Sequence, residues 1–343
     1  MKVLWLAVLL SVGSATFEPA FAQTDADVRD GFSKMGFLEV KAKAETGIAE
    51  AQLAVGIKYL VGIGVDEDPV QAVKWFRKAA DQNLARAQYL LGDHYYSGAG
   101  VEKNYAEAVK WYRKAAEQNE AEAQSVLGAC YHSGDGVGKD FAEAVKWFRK
   151  AAEQNDERGQ YGLGVCYYEG RGVEKDYVEA VKWYRKAAEQ PFGTSGAGFA
   201  LGLCYYRGHG VEKDYVEAVK WYRKAAEQNH AVARFSLGVC YYEGRGVEKD
   251  YVEAVKWFRK AADQNETSAQ FFLGLCFKYG QGVEKDYAEA YAWFNLAAKT
   301  ESDSAKSRDE LEKKMSPQQV ADAQKRTKEL RSMIEAKARS SGK

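Results

Sequence analysis

Five cysteines are the side chains of this sequence best suited to covalent chemistry or metal binding. They recur at regular intervals as Cys130, Cys166, Cys204, Cys240 and Cys276. If the intervals mark stacked helices, equivalent positions lie roughly 8–10 Å apart, whereas the Cα atoms of a disulfide lie within about 7 Å. The same spacing disfavours a zinc site. We therefore predict five small packing residues, with no disulfide and no bound metal.

The remaining chemical motifs also favour a structural interpretation. The four histidines occupy different positions of the repeating pattern, and no His-x-x-x-His or carboxylate partner recurs with them. Gly-x-Gly loops, such as the one at Gly98 and Gly100, lack the Lys-Ser/Thr of a phosphate-binding loop. Glycine is also the residue that most often ends a helix in a tight turn. The sequence therefore predicts no catalytic residue and no cofactor.

The positions of the tryptophans define the unit that repeats. Seven of the eight tryptophans recur regularly, as Trp75, Trp111, Trp147, Trp183, Trp221, Trp257 and Trp293. Successive members are 36 residues apart except for one step of 38 residues, from Trp183 to Trp221. Such self-similarity is typical of stacked-repeat proteins, in which each unit packs on its neighbours. We predict seven repeats in residues 49–302, with the tryptophans buried at equivalent places.

Each unit has the pattern of two short helices joined by a turn. In residues 85–120, apolar residues recur at helical spacing in both halves, and a Gly-x-Gly-Val sequence separates them. The second helix begins with a capping residue and a Glu three residues later, as in Asp176 and Glu179. Two extra residues lie within 191–198, where a proline and three glycines predict a changed turn. The fold class predicted is all-α.

The segments on either side of the repeats differ from them in composition. Residues 1–22 combine a basic start, an apolar run and a small-x-small ending, which predicts a signal peptide cleaved before Gln23. Residues 23–48 predict an N-terminal half-repeat that caps the array. Residues 303–343 predict capping helices with a polar tail, the last helix beginning at the capping sequence 316–319. Its apolar stripe comprises Val320, Ala323, Leu330 and Ile334.

The charge balance disfavours two classes of partner. The sequence has 49 Lys+Arg and 49 Asp+Glu, so no net field attracts nucleic acid or an anionic membrane. No segment after the first 22 residues is apolar enough to span a bilayer. We expect a monomer that is exported to the periplasm or secreted, and that binds neither nucleic acid nor membrane.

The repeated residues resemble those of a known family. Ala-x-Ala-Gln, Leu-Gly-x-x-Tyr, Gly-x-Gly-Val-x-x-Asp and Ala-x-x-Trp-Tyr-x-x-Ala-Ala together are similar to the Sel-one-like repeat (SLR), a relative of the tetratricopeptide repeat, over residues 49–302. The resemblance implies a right-handed α/α solenoid whose first helices line a concave face, with adaptor or scaffold roles. Some family members pair two cysteines per repeat. Here the second partner is missing, since the Ala187-Ala188 pair carries no thiol.

The resemblance also implies which residues meet a protein or peptide partner in the concave groove. They are Tyr96, Tyr161, Val165, Tyr168, Phe199, Leu203, Tyr206, Phe235, Val239, Tyr242, Phe271 and Leu275. Aromatic residues are favoured anchors at interfaces, although the same rings would also suit packing between adjacent helices. If they face the groove, we expect paired replacement of Tyr206 and Tyr242 by alanine to weaken partner capture without unfolding the array.

Two alternatives to a non-enzymatic exported scaffold remain open at this stage. Some SLR proteins have been described as β-lactamase-like or penicillin-binding, which would make this a cell-wall-active enzyme. The sequence has one Ser-x-x-Lys, from Ser340 to Lys343, without Ser-Asp-Asn or Lys-Thr-Gly beside it. A eukaryotic lumenal quality-control adaptor is the other alternative. The sequon Asn265-Glu266-Thr267 permits it, but the sequence lacks a Lys-Asp-Glu-Leu-type ending.

Overall fold

The structure, a computed structural model, describes residues 31–32, 35–190, 193–298 and 301–341. The described residues contain seventeen α-helices and no β-strand. The helices are α1 (Phe37–Glu45), α2 (Ala49–Val61), α3 (Pro69–Asp81), α4 (Ala85–Ser97), α5 (Tyr105–Glu117), α6 (Ala121–Ser133), α7 (Phe141–Glu153), α8 (Glu157–Glu169), α9 (Tyr177–Glu189), α10 (Ser195–Arg207), α11 (Tyr215–Glu227), α12 (Ala231–Glu243), α13 (Tyr251–Ala262), α14 (Thr267–Tyr279), α15 (Tyr287–Ala297), α16 (Ser302–Glu312) and α17 (Pro317–Ser341). The predicted signal peptide, residues 1–22, lies outside the described residues.

Helices α2 to α15 form seven consecutive pairs, which confirms the predicted all-α solenoid of helix-turn-helix repeats. The two helices of each pair pack on each other, and within each of the two units described next a second helix packs on the following first helix, as α5 does on α6. The chain forms two compact units, which meet in sequence at residues 190 and 191. This division coincides with the 38-residue step, where the sequence predicts a changed turn.

Side-chain caps determine where the second helices begin. In α9, Asp176 Oδ1 accepts a hydrogen bond from the Glu179 N–H at 3.0 Å, as the sequence predicts. The Glu179 carboxylate does not complete a reciprocal capping box but accepts from Lys182 Nζ at 2.9 Å. This exposed pair adds little stability. At α17 the box is complete, because Gln319 N donates to Ser316 Oγ and Ser316 N donates to Gln319 Oε1.

Each helix pair is held close by a glycine of the first helix that lies against a ring of the second. A Cβ atom added to Gly92 would lie 2.7 Å from the Tyr112 ring, so only glycine allows this approach. The tryptophans lie beside this contact, and their predicted burial is correct for four of the seven. Those at positions 183, 221 and 257 are half-buried. Lys114 Nζ covers the Trp111 ring at 4.0 Å from its centroid, so lysine methylene groups cover part of these indoles.

A buried glutamine near the start of a first helix, such as Gln88 or Gln124, connects its repeat to the preceding one through a hydrogen bond. Gln118 Nε2 donates to Gln88 Oε1 at 2.7 Å, and Gln88 Nε2 donates to the Ala80 carbonyl at 3.2 Å. The next repeat has the same arrangement, with Gln154 Nε2 donating to Gln124 Oε1 at 2.8 Å. A buried amide without a hydrogen-bond partner lowers the free energy of unfolding. This network therefore favours one relative position of neighbouring repeats.

Additional helices pack against both ends of the repeats. α1 packs on α2 through its buried Val40 and Ala44. At the other end, α16 and α17 pack on α15. The buried stripe of α17 comprises Ala323, Thr327, Leu330 and Ile334, whereas most of its other side chains are exposed and polar. Apolar faces of the terminal repeats are thereby covered by polar-surfaced helices, as a stacked array requires.

A glycine substitution should test how closely adjacent repeats approach each other. Gly136 has φ +69°, and a Cβ atom added there would lie 2.2 Å from the Tyr105 carbonyl oxygen of the preceding repeat. We expect Gly136→Ala to lower the free energy of unfolding by at least about 2 kcal/mol, through backbone strain and steric clash. The measurement is urea unfolding followed by circular dichroism.

Gly138→Ala is the matched control, because a Cβ atom added at Gly138 meets nothing within 4 Å. We expect this variant to be neutral or slightly stabilising. Equal stability of the two variants would contradict the close approach of the Gly136 loop to α5.

Candidate functional site

The residues predicted to line a groove occupy the fifth, ninth and twelfth positions of the first helices. Nine of them are buried: Tyr161, Val165, Tyr168, Phe199, Leu203, Tyr206, Phe235, Val239 and Phe271. Tyr96, Tyr242 and Leu275 are half-buried. Most of the predicted contact area is therefore already covered by the protein itself.

Ring contacts show what covers these side chains. The Phe235 centroid lies 5.9 Å from that of Phe258 in the same repeat and 5.5 Å from that of Phe272 in the next. Tyr242 lies 5.1 Å from Tyr251 and 5.6 Å from Phe272. These rings pack between helices and between repeats. Replacing Tyr206 and Tyr242 with alanine would therefore open cavities, and we revise our expectation that this double variant leaves the fold intact.

The hydroxyl groups of the twelfth-position tyrosines point to a more accessible region. Tyr242 OH donates to Gln281 Oε1 at 2.6 Å, and Tyr96 OH donates to Asp135 Oδ2 at 3.2 Å. In each case the acceptor lies between the two glycines of the next repeat's Gly-x-Gly loop. We call the last residue of each first helix, together with the residue between these two glycines, the loop edge.

Charged and aromatic side chains are accessible along the loop edge. In the unit from residue 193 onwards, Arg245 Nε lies 3.0 Å from Glu243 Oε2, and an Arg245 guanidinium nitrogen donates to Tyr206 OH. Tyr279, in the same place of the seventh repeat, is 60% exposed. In the unit that ends at residue 190, Arg171 Nε lies 3.0 Å from Glu169 Oε2. Such part-exposed ion pairs rearrange at small cost, so the loop edge is suited to contacts with a charged segment of another protein.

A second polar cluster lies in the unit that ends at residue 190, and the sequence reasoning missed it. Arg86 Nη1 lies 3.0 Å from Glu120 Oε1 and 2.9 Å from Glu122 Oε1. The available signal was an alternation of charge, since Arg86, Glu122 and Arg158 occupy the second position of three consecutive first helices. The name arginine–carboxylate cluster is used here for the following residues: Arg86, Glu122, Arg158, Tyr89, Asp93, Tyr112 and Asp156.

Asp93 is the most deeply buried acid of the arginine–carboxylate cluster. It is 5% exposed, and Tyr112 OH donates to its Oδ1 at 2.7 Å. Burial raises the pKa of Asp93 to about 6, against the opposing effect of hydrogen bonds from Tyr112 and Tyr89 and of the positive charge on Arg158. Asp156 caps α8 through the Gly159 N–H at 2.7 Å, and burial likewise raises its pKa to about 6. Both carboxylates are enclosed by protein groups, which is unfavourable for acid–base work on a substrate.

The five cysteines and His94 are also buried. All five cysteines are buried and carry free thiols, and burial raises the pKa of each to about 12, so thiolate is scarce at neutral pH. Burial, with Arg171 and Lys139 nearby, lowers the pKa of His132 to about 4. Within the described part of the chain, no three His, Cys, Asp or Glu residues form a candidate metal site, and no helix is long and apolar enough to cross a membrane.

The pH dependence of stability should report on Asp93. Its folded-state pKa, about 6, lies above the ordinary value of 3.8, so the folded protein binds the proton more tightly. Asp93 therefore contributes stability below pH 4 that is lost as the pH rises through 6. We expect Asp93→Asn to be as stable as wild type, or more stable, at pH 7, and to lose roughly 2 kcal/mol relative to wild type between pH 7 and pH 4.5.

Urea unfolding at the two pH values measures this effect. Asp66→Asn is the control, because it removes a negative charge from an exposed surface position. If Asp93→Asn and Asp66→Asn show the same pH dependence as wild type, the proton-binding role of Asp93 is wrong.

Comparison with known proteins identifies the repeat. The sequence profile of the Sel1 repeat matches residues 49–84, 85–120, 121–156, 158–192, 197–230, 231–266 and 267–299. No curated protein matches the sequence. Among solved structures, a Sel1 repeat protein from Oxalobacter formigenes is 37% identical, with a TM-score of 0.64, over 72% of this chain and 96% of that protein.

Another similar structure is that of a protective antigen present in uropathogenic Escherichia coli strains, which displays an SLR fold. It is 30% identical to this chain, with a TM-score of 0.45, over 89% of this chain and 97% of that protein. The seven profile matches follow the same helix pairs that the structure shows. The resemblance to the Sel-one-like repeat is thus confirmed. This chain belongs to the Sel1 repeat family, whose members are generally protein-interaction scaffolds and are typically not enzymes.

Proposed function

We propose that the chain is an exported, non-enzymatic scaffold that holds a protein or peptide partner along the loop edge of its repeats. The loop edge borders the concave first-helix surface that the family resemblance implies. Of the twelve residues that the sequence reasoning selected, Tyr96, Tyr206 and Tyr242 reach this edge through their hydroxyl groups. The other selected residues support it by packing beneath.

One comparison between repeats carries this proposal. Residues 165–183 recur unchanged as residues 239–257, and the corresponding segment 203–221 of the repeat between them differs at three positions. One difference is at a buried position, which is Val165 in the fourth repeat and Leu203 in the fifth. The other two are on the loop edge, where Glu169 and Arg171 become Arg207 and His209.

Exposure alone does not explain where these differences fall. An exposed position of the second helix does not differ between the two repeats. It is Val178 in one, 52% exposed, and Val216 in the other, 55% exposed. Random drift of unconstrained surface positions would change such residues as readily as it changes the loop edge. A reversal of charge confined to the loop edge instead favours selection for different contacts along a partner.

The loop edge of residues 193–298 fits a partner segment with alternating charge and at least one apolar group. Arg207, Glu243 and Arg245 present both signs of charge, and Tyr279 supplies an exposed ring. Charges at the rim of an interface contribute mainly to association rate and specificity, whereas an aromatic side chain supplies buried area. Binding should therefore weaken with added salt.

Arg207→Glu tests the proposed loop-edge contact. This change installs the residue found at Glu169 and Glu243, so the repeat tolerates it. The partner that copurifies with the tagged mature protein is identified, purified and titrated against each variant. We expect Arg207→Glu to weaken binding about tenfold, with most of the change in association rate.

Lys220→Glu is the charge-matched control. Lys220 lies in the same repeat, on the exposed side of α11, where it pairs with Glu217 at 2.8 Å. We expect this variant to bind like wild type. Equal binding by all three proteins would contradict a role for the loop edge.

Export rests on the composition of residues 1–22, and the N-terminus of the mature protein tests it. Intact-mass measurement of the protein recovered from the periplasm or medium should give a chain that begins at Gln23. Ala22→Arg should block cleavage, because the processing enzyme requires a small residue there. Recovery of uncleaved wild-type chain in the cytoplasm alone would contradict export.

A further inference from the structure

The loop edge of the unit that ends at residue 190 begins with exposed apolar side chains. In the first repeat its members are Val61, which is 43% exposed, and Ile63, which is 54% exposed. The equivalent residues of the second repeat are Ser97 and Ala99, so the fold of the repeat does not require an apolar pair there. Exposed apolar side chains that lie together mark interaction sites, whereas single scattered ones do not.

Two glycine contacts show that further exposed apolar side chains lie beside these loops. A Cβ atom added to Gly64 would lie 3.2 Å from Phe37 Cβ, so the first loop lies against the start of α1, next to the exposed Leu38. A Cβ atom added to Gly100 would lie 2.8 Å from the backbone nitrogen of Val70, which is also exposed. The name apolar patch is used for the following residues: Leu38, Val61, Ile63 and Val70.

Two repeats further along, the loop edge carries an acid without a cationic partner. Asp135 Oδ2 accepts hydrogen bonds from Ser133 Oγ at 2.6 Å and from Tyr96 OH at 3.2 Å. Among the described residues, no lysine, arginine or histidine forms an ion pair with it, whereas Glu169 in the next repeat pairs with Arg171 at 3.0 Å. The Asp135 carboxylate is therefore held in place with its charge available to a basic residue of a partner.

The distance from the apolar patch to Asp135 determines how far apart the matching residues of a partner must be. Ile63, Ala99 and Asp135 are equivalent positions of three consecutive repeats. Each step is roughly the 8–10 Å between packed helices, so two steps span roughly 16–20 Å. An extended chain rises about 3.3 Å per residue and covers this span in about five or six residues.

We propose that this part of the loop edge binds an extended peptide segment that carries a bulky apolar residue and, about six residues away, a lysine or arginine. The proposal rests on the proposed function and names the chemistry of the partner. The apolar side chain covers the apolar patch, and the cation pairs with Asp135. Between them, the small side chains of Ser97 and Ala99 leave room for the backbone of the partner.

A displayed library of random twelve-residue peptides, selected on the immobilised mature protein, tests this proposal. We expect the enriched peptides to share a bulky apolar residue and a lysine or arginine about six positions away. Synthetic versions of these peptides are then titrated against the protein and its variants by fluorescence anisotropy. Enriched peptides without this pattern would overturn the proposal.

The double variant Val61→Ser, Ile63→Gln tests the apolar half of the site. These changes install the residues found at Ser97 and Gln281, so the repeat tolerates them. We expect the selected peptides to bind at least about tenfold more weakly, because the apolar area that their bulky residue covers is lost. Unchanged affinity would overturn the proposal.

Ile48→Thr is the matched control for this double variant. Ile48 is also exposed, but it precedes α2, whereas Val61 is at the opposite end of the same helix. Threonine occupies the equivalent position at Thr194. We expect this variant to bind the peptides like wild type, and an equal loss of affinity would place the peptides elsewhere and overturn the proposal.

Asp135→Arg tests the charged half of the site. It installs the residue found at Arg171 and Arg245. We expect about tenfold weaker binding of the selected peptides, and recovery when their lysine or arginine is replaced by glutamate. Glu153→Arg is the charge-matched control, because Glu153 is exposed at the far end of α7 in the same repeat, and it should bind like wild type. Equal effects of the two variants would overturn the pairing with Asp135.

The other possible occupants of the apolar patch give different results. Wild-type dimers that are lost in the Val61→Ser, Ile63→Gln variant, measured by sedimentation velocity, would assign the patch to a second copy of this chain. Displacement of the selected peptides by a synthetic peptide of residues 23–30 would assign it to the N-terminal segment of the mature chain. Either result overturns the proposal. If Arg207→Glu still weakens binding of the copurifying partner, the proposed function stands and only the partner chemistry fails.

Discussion

The close contact between a first-helix glycine and a second-helix ring is the constraint on which each repeat depends. At Gly92 and Tyr112 this contact leaves no space for even a methyl group, so the two helices approach as closely as their backbones allow. The ring then fills the centre of the pair and offers its far side to the next repeat. Because one helix pair cannot bury its apolar surface alone, stacking follows from the same contact.

Tight packing also limits where a partner can bind. Rings such as Phe235 and Tyr242 are held between helices, and their apolar area is already buried. The end of each first helix and the loop that follows it remain accessible. There the charge changes from Glu169 to Arg207 and back to Glu243, while most other residues of these three segments are unchanged. Stability and recognition thereby reside in different residues of the same repeat.

Sequence reasoning predicted features that depend on local spacing. The helix pairs follow from the 36-residue period, and the caps at Asp176 and Ser316 follow from residues three positions apart. It could not predict contacts that depend on how repeats are stacked. The bond from Gln88 to the Ala80 carbonyl of the preceding repeat and the half-burial of Trp183 both require a known angle and distance between repeats. The burial of the predicted groove residues could not be predicted either, since periodicity does not reveal how deeply neighbouring repeats cover a ring.

We propose that the loop edge carries partner recognition. Hydrogen exchange of the mature protein, alone and bound to the partner that copurifies with it, tests this claim most directly. We expect slower exchange on binding in the loops at 207–211, 243–247 and 279–283, with little change in the second helices that follow them. Slower exchange confined to the exposed sides of α11, α13 and α15 would contradict it.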